Sequence, residues 1–180
     1  MKTNKKLIKF AVILACLLSF TFSANAQKRK APSKRAKPPA AAAPTTFLTN
    51  SEIKAGAEKV SIQIKNVSKF IYILGGVAQG IEDLDKDVKA GKVSRTASDQ
   101  NTKNKQAVIS TIANLRAGLI ALEVEFRTKP ALRNYNFQIQ GISDMTGTAE
   151  DQASAGQLRE SGKTLLLVIE KLADTLAALP

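Results

Sequence analysis

Residues 53–88, IKAGAEKVSIQIKNVSKFIYILGGVAQGIEDLDKDV, decide the fold. Ile53, Val60, Val67, Leu74, Ile81 and Val88 recur every seven residues, Ala57, Ile64, Ile71 and Ala78 follow successive members by four, and Phe70, Val77 and Leu84 supply three-residue partners. At 3.6 residues per turn these positions fall on one side of a helix, so the stretch reads as one long amphipathic helix. Thr49 and Glu52 have capping-box spacing, and Leu48 and Ile53 have that of a hydrophobic staple, which together predict a start at Asn50. Gly91, after Lys89 and Ala90, is the predicted stop. The helix then has about 40 residues and is about 60 Å long. Gly75, Gly76 and Gly80 interrupt it at about 1 kcal/mol each relative to alanine, which predicts a kink or a close neighbouring helix.

Downstream, Val108, Ile112, Leu115, Leu119, Leu122 and Phe126 are spaced alternately by four and three. They predict a second helix over 98–127, ended by Pro130. A third begins at Pro130 and carries Leu132, Tyr135, Ile139, Ile142, Met145 and Ala149. Its opening is ambiguous, because Tyr135, Phe137 and Ile139 also alternate with polar residues as a strand does, but no other segment reads as a partner strand. Gly156 predicts a break, and Leu158, Leu165, Ile169, Leu172, Leu176 and Leu179 form the last stripe. The predicted fold class is all-α, an antiparallel four-helix bundle over residues 47–180. The alternative is three long helices with an irregular connection at 130–147.

Upstream of the long helix the composition changes. Residues 27–46, QKRKAPSKRAKPPAAAAPTT, have no large apolar side chain and four prolines, the composition of an unfolded, semi-stiff basic tether. Residues 1–26 have three parts: Lys2, Lys5, Lys6 and Lys9, an uncharged run from Phe10, and Ala24-Asn25-Ala26. That is the pattern of a cleavable bacterial secretory signal, and it predicts a periplasmic or secreted protein. Two alternatives stand beside it. The uncharged stretch from Phe10 to Ala26, followed at once by Lys28, Arg29 and Lys30, also fits a retained N-terminal membrane anchor. Cys16, behind a small residue within the apolar run, also fits a lipidation site.

Charge is distributed unevenly. Four of the 27 basic residues lie in 1–26 and six lie in 27–46, leaving 17 against all 15 acidic residues in the helical part. The basic character therefore belongs to the N-terminal segments, and the helical part does not read as a nucleic-acid binder. No aromatic side chain interleaves with the tether's charges, so no nucleic-acid partner is expected there either.

The chain has no His and a single Cys, Cys16. Haem attachment, Glu-x-x-His di-iron sites, the usual zinc sites, the Ser-His-Asp and Cys-His nucleophilic systems and disulfides all need residues that are missing, so no metal, cofactor or catalytic residue is assigned. An enzyme built on carboxylates alone remains an alternative. The densest acidic set is Glu82, Asp83, Asp85 and Asp87, where Asp-x-Asp-x-Asp resembles the start of a calcium loop. Val88 and Ser94 stand where that loop needs Gly and Glu, so a solvated face is the expected role. Gly162-Lys163-Thr164 lacks the first glycine of a phosphate-binding loop, because position 157 is Gln.

Two features are the functional candidates. Lys28, Arg29, Lys30, Lys34, Arg35 and Lys37 are placed to contact an anionic envelope polymer or lipid surface. Ile62, Tyr72 and Ile73 fall off the main apolar stripe, and Leu165 to Ile169 are apolar on every side. Such positions are either buried in the middle of the bundle or form a surface for a protein partner or a second copy. The expected function is a non-enzymatic, exported binding or scaffolding protein at the cell envelope, with a self-assembling or partner-dependent helical module as the alternative.

Overall fold

The computed structural model describes residues 45–180. The signal, the tether and all six of its basic candidates, and Cys16, lie outside the described residues. The described chain is helical, with no strand among these residues. Helix α1 spans Thr45–Lys89 and α2 spans Arg95–Thr128. A single 3₁₀ turn at Arg133–Tyr135 leads into the four-residue α3, Asn136–Ile139, and then α4 spans Ile142–Ser154 and α5 spans Leu158–Ala178. Thr49–Pro180 forms one compact unit.

α1 runs unbroken for 45 residues, about 67 Å, through Gly56, Gly75, Gly76 and Gly80. It begins before the predicted Asn50, so Thr49 and Glu52 are interior residues and not a capping box. A capping residue is worth about 1 kcal/mol, and neither Gly nor Pro stands between Thr45 and Thr49, so nothing in the chain stops the helix there. The C-terminal end is as predicted. Gly91 adopts φ +68°, its N–H bonds to Val88 O, and Lys92 N–H bonds to Asp87 O. These two bonds close a left-handed cap that any side chain at Gly91 would strain.

α2 starts three residues before the predicted position because Ser94 caps it, its side chain accepting a hydrogen bond from Ala97 N. The predicted third helix is two pieces. Residues 133–139 turn tightly, Gly141 reverses the backbone at φ +89°, and α4 starts afresh at Ile142. Tyr135, Phe137 and Ile139 therefore lie in helical turns and not in a strand. Gly156, at φ +81°, makes the expected break, with Gly156 N bonding to Ala153 O and Gln157 N to Gln152 O.

The stripe that decided the fold is the buried side of α1: Val60 and Val67 are fully buried, and Ile53, Leu74 and Ile81 nearly so. Ile53 and Val60 share one buried cluster with Leu119, Leu122 and Phe126 of α2, Leu132, Ile139 of α3, Ile142 of α4 and Val168 and Leu172 of α5. Each such side chain contributes about 1.5–3 kcal/mol on removal from water. Gly56 allows Leu132 to reach the helix, since a Cβ there would lie 2.7 Å from a Leu132 methyl. Gly75 and Gly76 play no such part. Nothing lies within 4 Å of a Cβ at either position, which overturns the expectation of a close neighbour for that pair, and the helix runs on through both.

Candidate functional site

The acidic set at the C-terminal end of α1 is more than a solvated face. Glu82 reaches α5, 77 residues on in sequence, where Oε1 accepts from Arg159 N at 2.9 Å and Oε2 from Arg159 Nε at 2.8 Å. α5 has no capping side chain of its own at Gln157, so Glu82 supplies from another helix the acceptor its first turn lacks. Asp85 accepts from Lys105 Nζ at 2.7 Å and from Asn101 Nδ2 at 2.8 Å. The buried Asn101 amide also donates to Ile81 O at 3.3 Å, joining α1 to α2 through backbone as well as side chain. Asp83 remains exposed, and the hydrogen bond and charge of Lys86 hold its carboxyl below the usual value. Because all four acids sit on a continuous helix, they cannot take the looped path that wraps a calcium ion.

Around this end lies an open cavity of about 280 Å³, lined by Glu82, Asp85, Lys86, Lys89, residues 155–157, Arg159 and Glu160. Three carboxylates border it, and each is engaged: Glu82 with Arg159, Asp85 with Lys105, and Glu160 with Lys163 at 2.8 Å. Among the described residues no three His, Cys, Asp or Glu side chains converge as a metal site. Gly162, Lys163 and Thr164 lie inside α5, with Lys163 on Glu160 and Thr164 donating to Gln152, so they form no phosphate-binding loop.

A second polar cluster ties the other end. Glu125 of α2 is paired with Lys59 of α1 and with Lys129. Burial pushes the Glu125 carboxyl up, but hydrogen bonds and charge from Lys129 and Lys59 together outweigh it and leave the pKa below 4.5. Nearby on α2, Glu123 is almost fully buried and accepts from Ser143 Oγ, while its Oε1 has no hydrogen-bond partner among the described residues.

The apolar candidates separate. Tyr72 is 86% exposed and Ile62 51%, while Ile73 is half-buried. Burial in the middle of the assembly therefore does not hold for Tyr72 or Ile62. The physical reason is angular: they stand on the side of α1 away from Val60, Val67 and Leu74, and no described helix covers that side. In the 165–169 run Leu165 and Val168 are fully buried, but Leu166 and Leu167 are about half exposed. Ile120 and Val124 of α2 and Phe137 of α3 are also exposed, and the sequence reading did not single them out. Their one signal was position, since none belongs to its helix's main stripe.

Ile62, Lys65, Lys69 and Tyr72 are spaced by three, four and three, so they share the outward side of α1, with Ile73 beside Tyr72. Lys65 and Lys69 are exposed and enter no ion pair among the described residues. The side therefore combines uncovered apolar groups with two lysines outside the ion pairs of the described residues. No family model matches the chain, nor does any curated protein or solved structure.

Proposed function

We propose that the protein is a non-enzymatic, exported binding or scaffolding module of the cell envelope, built as an antiparallel four-helix bundle in which α3 and α4 together form the third helix. Opposed numbering of the bonded pairs supports that topology. Between α1 and α2 the links are Lys59–Glu125 and Asp85–Lys105, between α2 and α4 they are Glu123–Ser143 and Arg116–Glu150, and between α1 and α5 Leu74 lies against Gly162 and Glu82 binds Arg159. In each pair one number rises as the other falls, and only residues 155–157 separate α4 from α5.

The observation that carries the binding role is Tyr72, the most exposed large apolar side chain described, in line with two lysines that enter no ion pair among the described residues. The pairing of the cavity carboxylates with cations supports a structural use for those acids over a catalytic one. The basic segment, Lys28 to Lys37, adds attraction to anionic surfaces of up to about 1 kcal/mol per residue, weakened by salt. Replacement of Lys28, Arg29, Lys30, Lys34, Arg35 and Lys37 by Gln is the test. It is expected to release the protein from the envelope fraction at low salt, as raised salt does for the wild type; unchanged association overturns the reading.

A further inference from the structure

We propose that the outward side of α1 is itself a lipid-docking face, which lays Ile62, Lys65, Lys69, Tyr72 and Ile73 on an anionic phospholipid surface. This rests on the reading above, that the protein works against an anionic envelope surface, and names the lipid headgroup layer as the surface and α1 as the contact.

Three observations favour lipid over other occupants. The first is charge: Lys65 and Lys69 lie one turn apart, exposed and without an ion-pair partner among the described residues, so the face attracts phosphate. A second copy docked symmetrically through this face would set those lysines against their own counterparts, which disfavours self-association here.

The second is shape. The residues occupy the crest of one helix, and the cavity at the C-terminal end of α1 is lined by none of them. Small-molecule and peptide sites are concave, whereas a fluid interface accepts a crest. Five side chains on one helix also fall well short of the roughly 800 Å² per partner that a stable protein interface covers.

The third is composition. An exposed tyrosine has an apolar ring and a polar tip suited to the headgroup boundary, lysine stems lie along apolar groups while their ammonium ions stay at the phosphates, and isoleucine enters the acyl boundary. The pieces match an interfacial helix, which lies on a bilayer without crossing it.

The experiment is co-sedimentation of the full chain with vesicles of phosphatidylglycerol and phosphatidylcholine, one to three, and with phosphatidylcholine alone, at low and high salt. The wild type is expected to bind the anionic vesicles only. Lys65→Gln with Lys69→Gln is expected to weaken binding about fivefold per lysine at low salt, and Ile62→Ser with Tyr72→Ser about tenfold. Circular dichroism should show full helicity for both, since every altered side chain is exposed. Because the chain has no tryptophan, Tyr72→Trp adds an independent readout: its emission should shift to the blue with anionic vesicles and stay put with neutral ones. Face variants that bind like the wild type, or an unshifted Trp, overturn the docking face while leaving the envelope reading intact. A wild-type chain that ignores anionic vesicles overturns both. If the face variants lose envelope association but bind vesicles normally, the face serves a protein instead and the proposal fails.

Discussion

At the scale of single residues, α1 contains two kinds of glycine that the sequence alone does not distinguish. Gly56 faces the fully buried Leu132, and Gly76 faces open space. The same substitution should therefore act in opposite directions within one helix. Gly56→Ala forces a methyl into a closed interior and is expected to lower stability by about 1–3 kcal/mol, while Gly76→Ala gains helix propensity without a clash and should raise it by about 0.5–1 kcal/mol. Urea unfolding of the two variants checks both signs, and two shifts in the same direction would refute the packing described at one of them. Periodicity shows that both glycines are helical. It does not show what stands opposite, because that depends on Leu132, whose place is set by a tight turn 76 residues downstream. Tyr72 was legible in the same partial way: its place off the apolar stripe was plain, but its exposure depends on no other described helix covering that side of α1.

At the scale of elements, the stripes of apolar residues located every long helix, and the glycines at 91 and 156 located two of their ends. What the stripes do not contain is the polar wiring between helices. Glu82 meeting Arg159, Asn101 meeting Asp85 and Glu125 meeting Lys59 depend on helix register, and no local pattern marks them. The same limit explains the start of α1, where a capping-box pattern sits inside a helix that nothing interrupts. Glu125 gives this wiring a measurable pH dependence. Its folded carboxyl has a pKa below that of the unfolded chain, so ionisation favours the folded state. That contribution is complete above about pH 4.5 and is lost as pH falls through the lower folded value. Glu125→Gln should accordingly be less stable than the wild type at neutral pH, with the difference shrinking as pH drops below 4.5. Melting temperatures across that range test it, and a constant difference would mean that the ion pairs with Lys59 and Lys129 contribute nothing.

At the scale of the whole molecule, the core takes residues from every helix, with Phe126 fully buried among Ile53, Leu122, Leu132, Ile142 and Leu172. No helix can dismiss its neighbours and keep its buried side dry, so residues 49–180 should unfold in one cooperative step. Phe126→Ala is expected to cost about 3–5 kcal/mol and to lower amide protection in α1, α2 and α5 together; protection kept in α1 while α5 loses it would contradict a shared core. One hazard of such a core comes from the repeat on which it is built. With apolar residues every seven positions, α1 sliding by one heptad along α2 would set Val67 where Leu74 stood and Leu74 where Ile81 stood, and the apolar surfaces would barely distinguish the two arrangements. Asn101 does distinguish them. Its buried amide is received by Ile81 O and by Asp85, and a slip of seven residues presents it instead with the neighbourhood of Leu74 and Ala78, where position 78 offers no carboxylate. A single amide thus works as an index mark on an otherwise repeating rule, making one alignment of the two longest helices readable and the others errors.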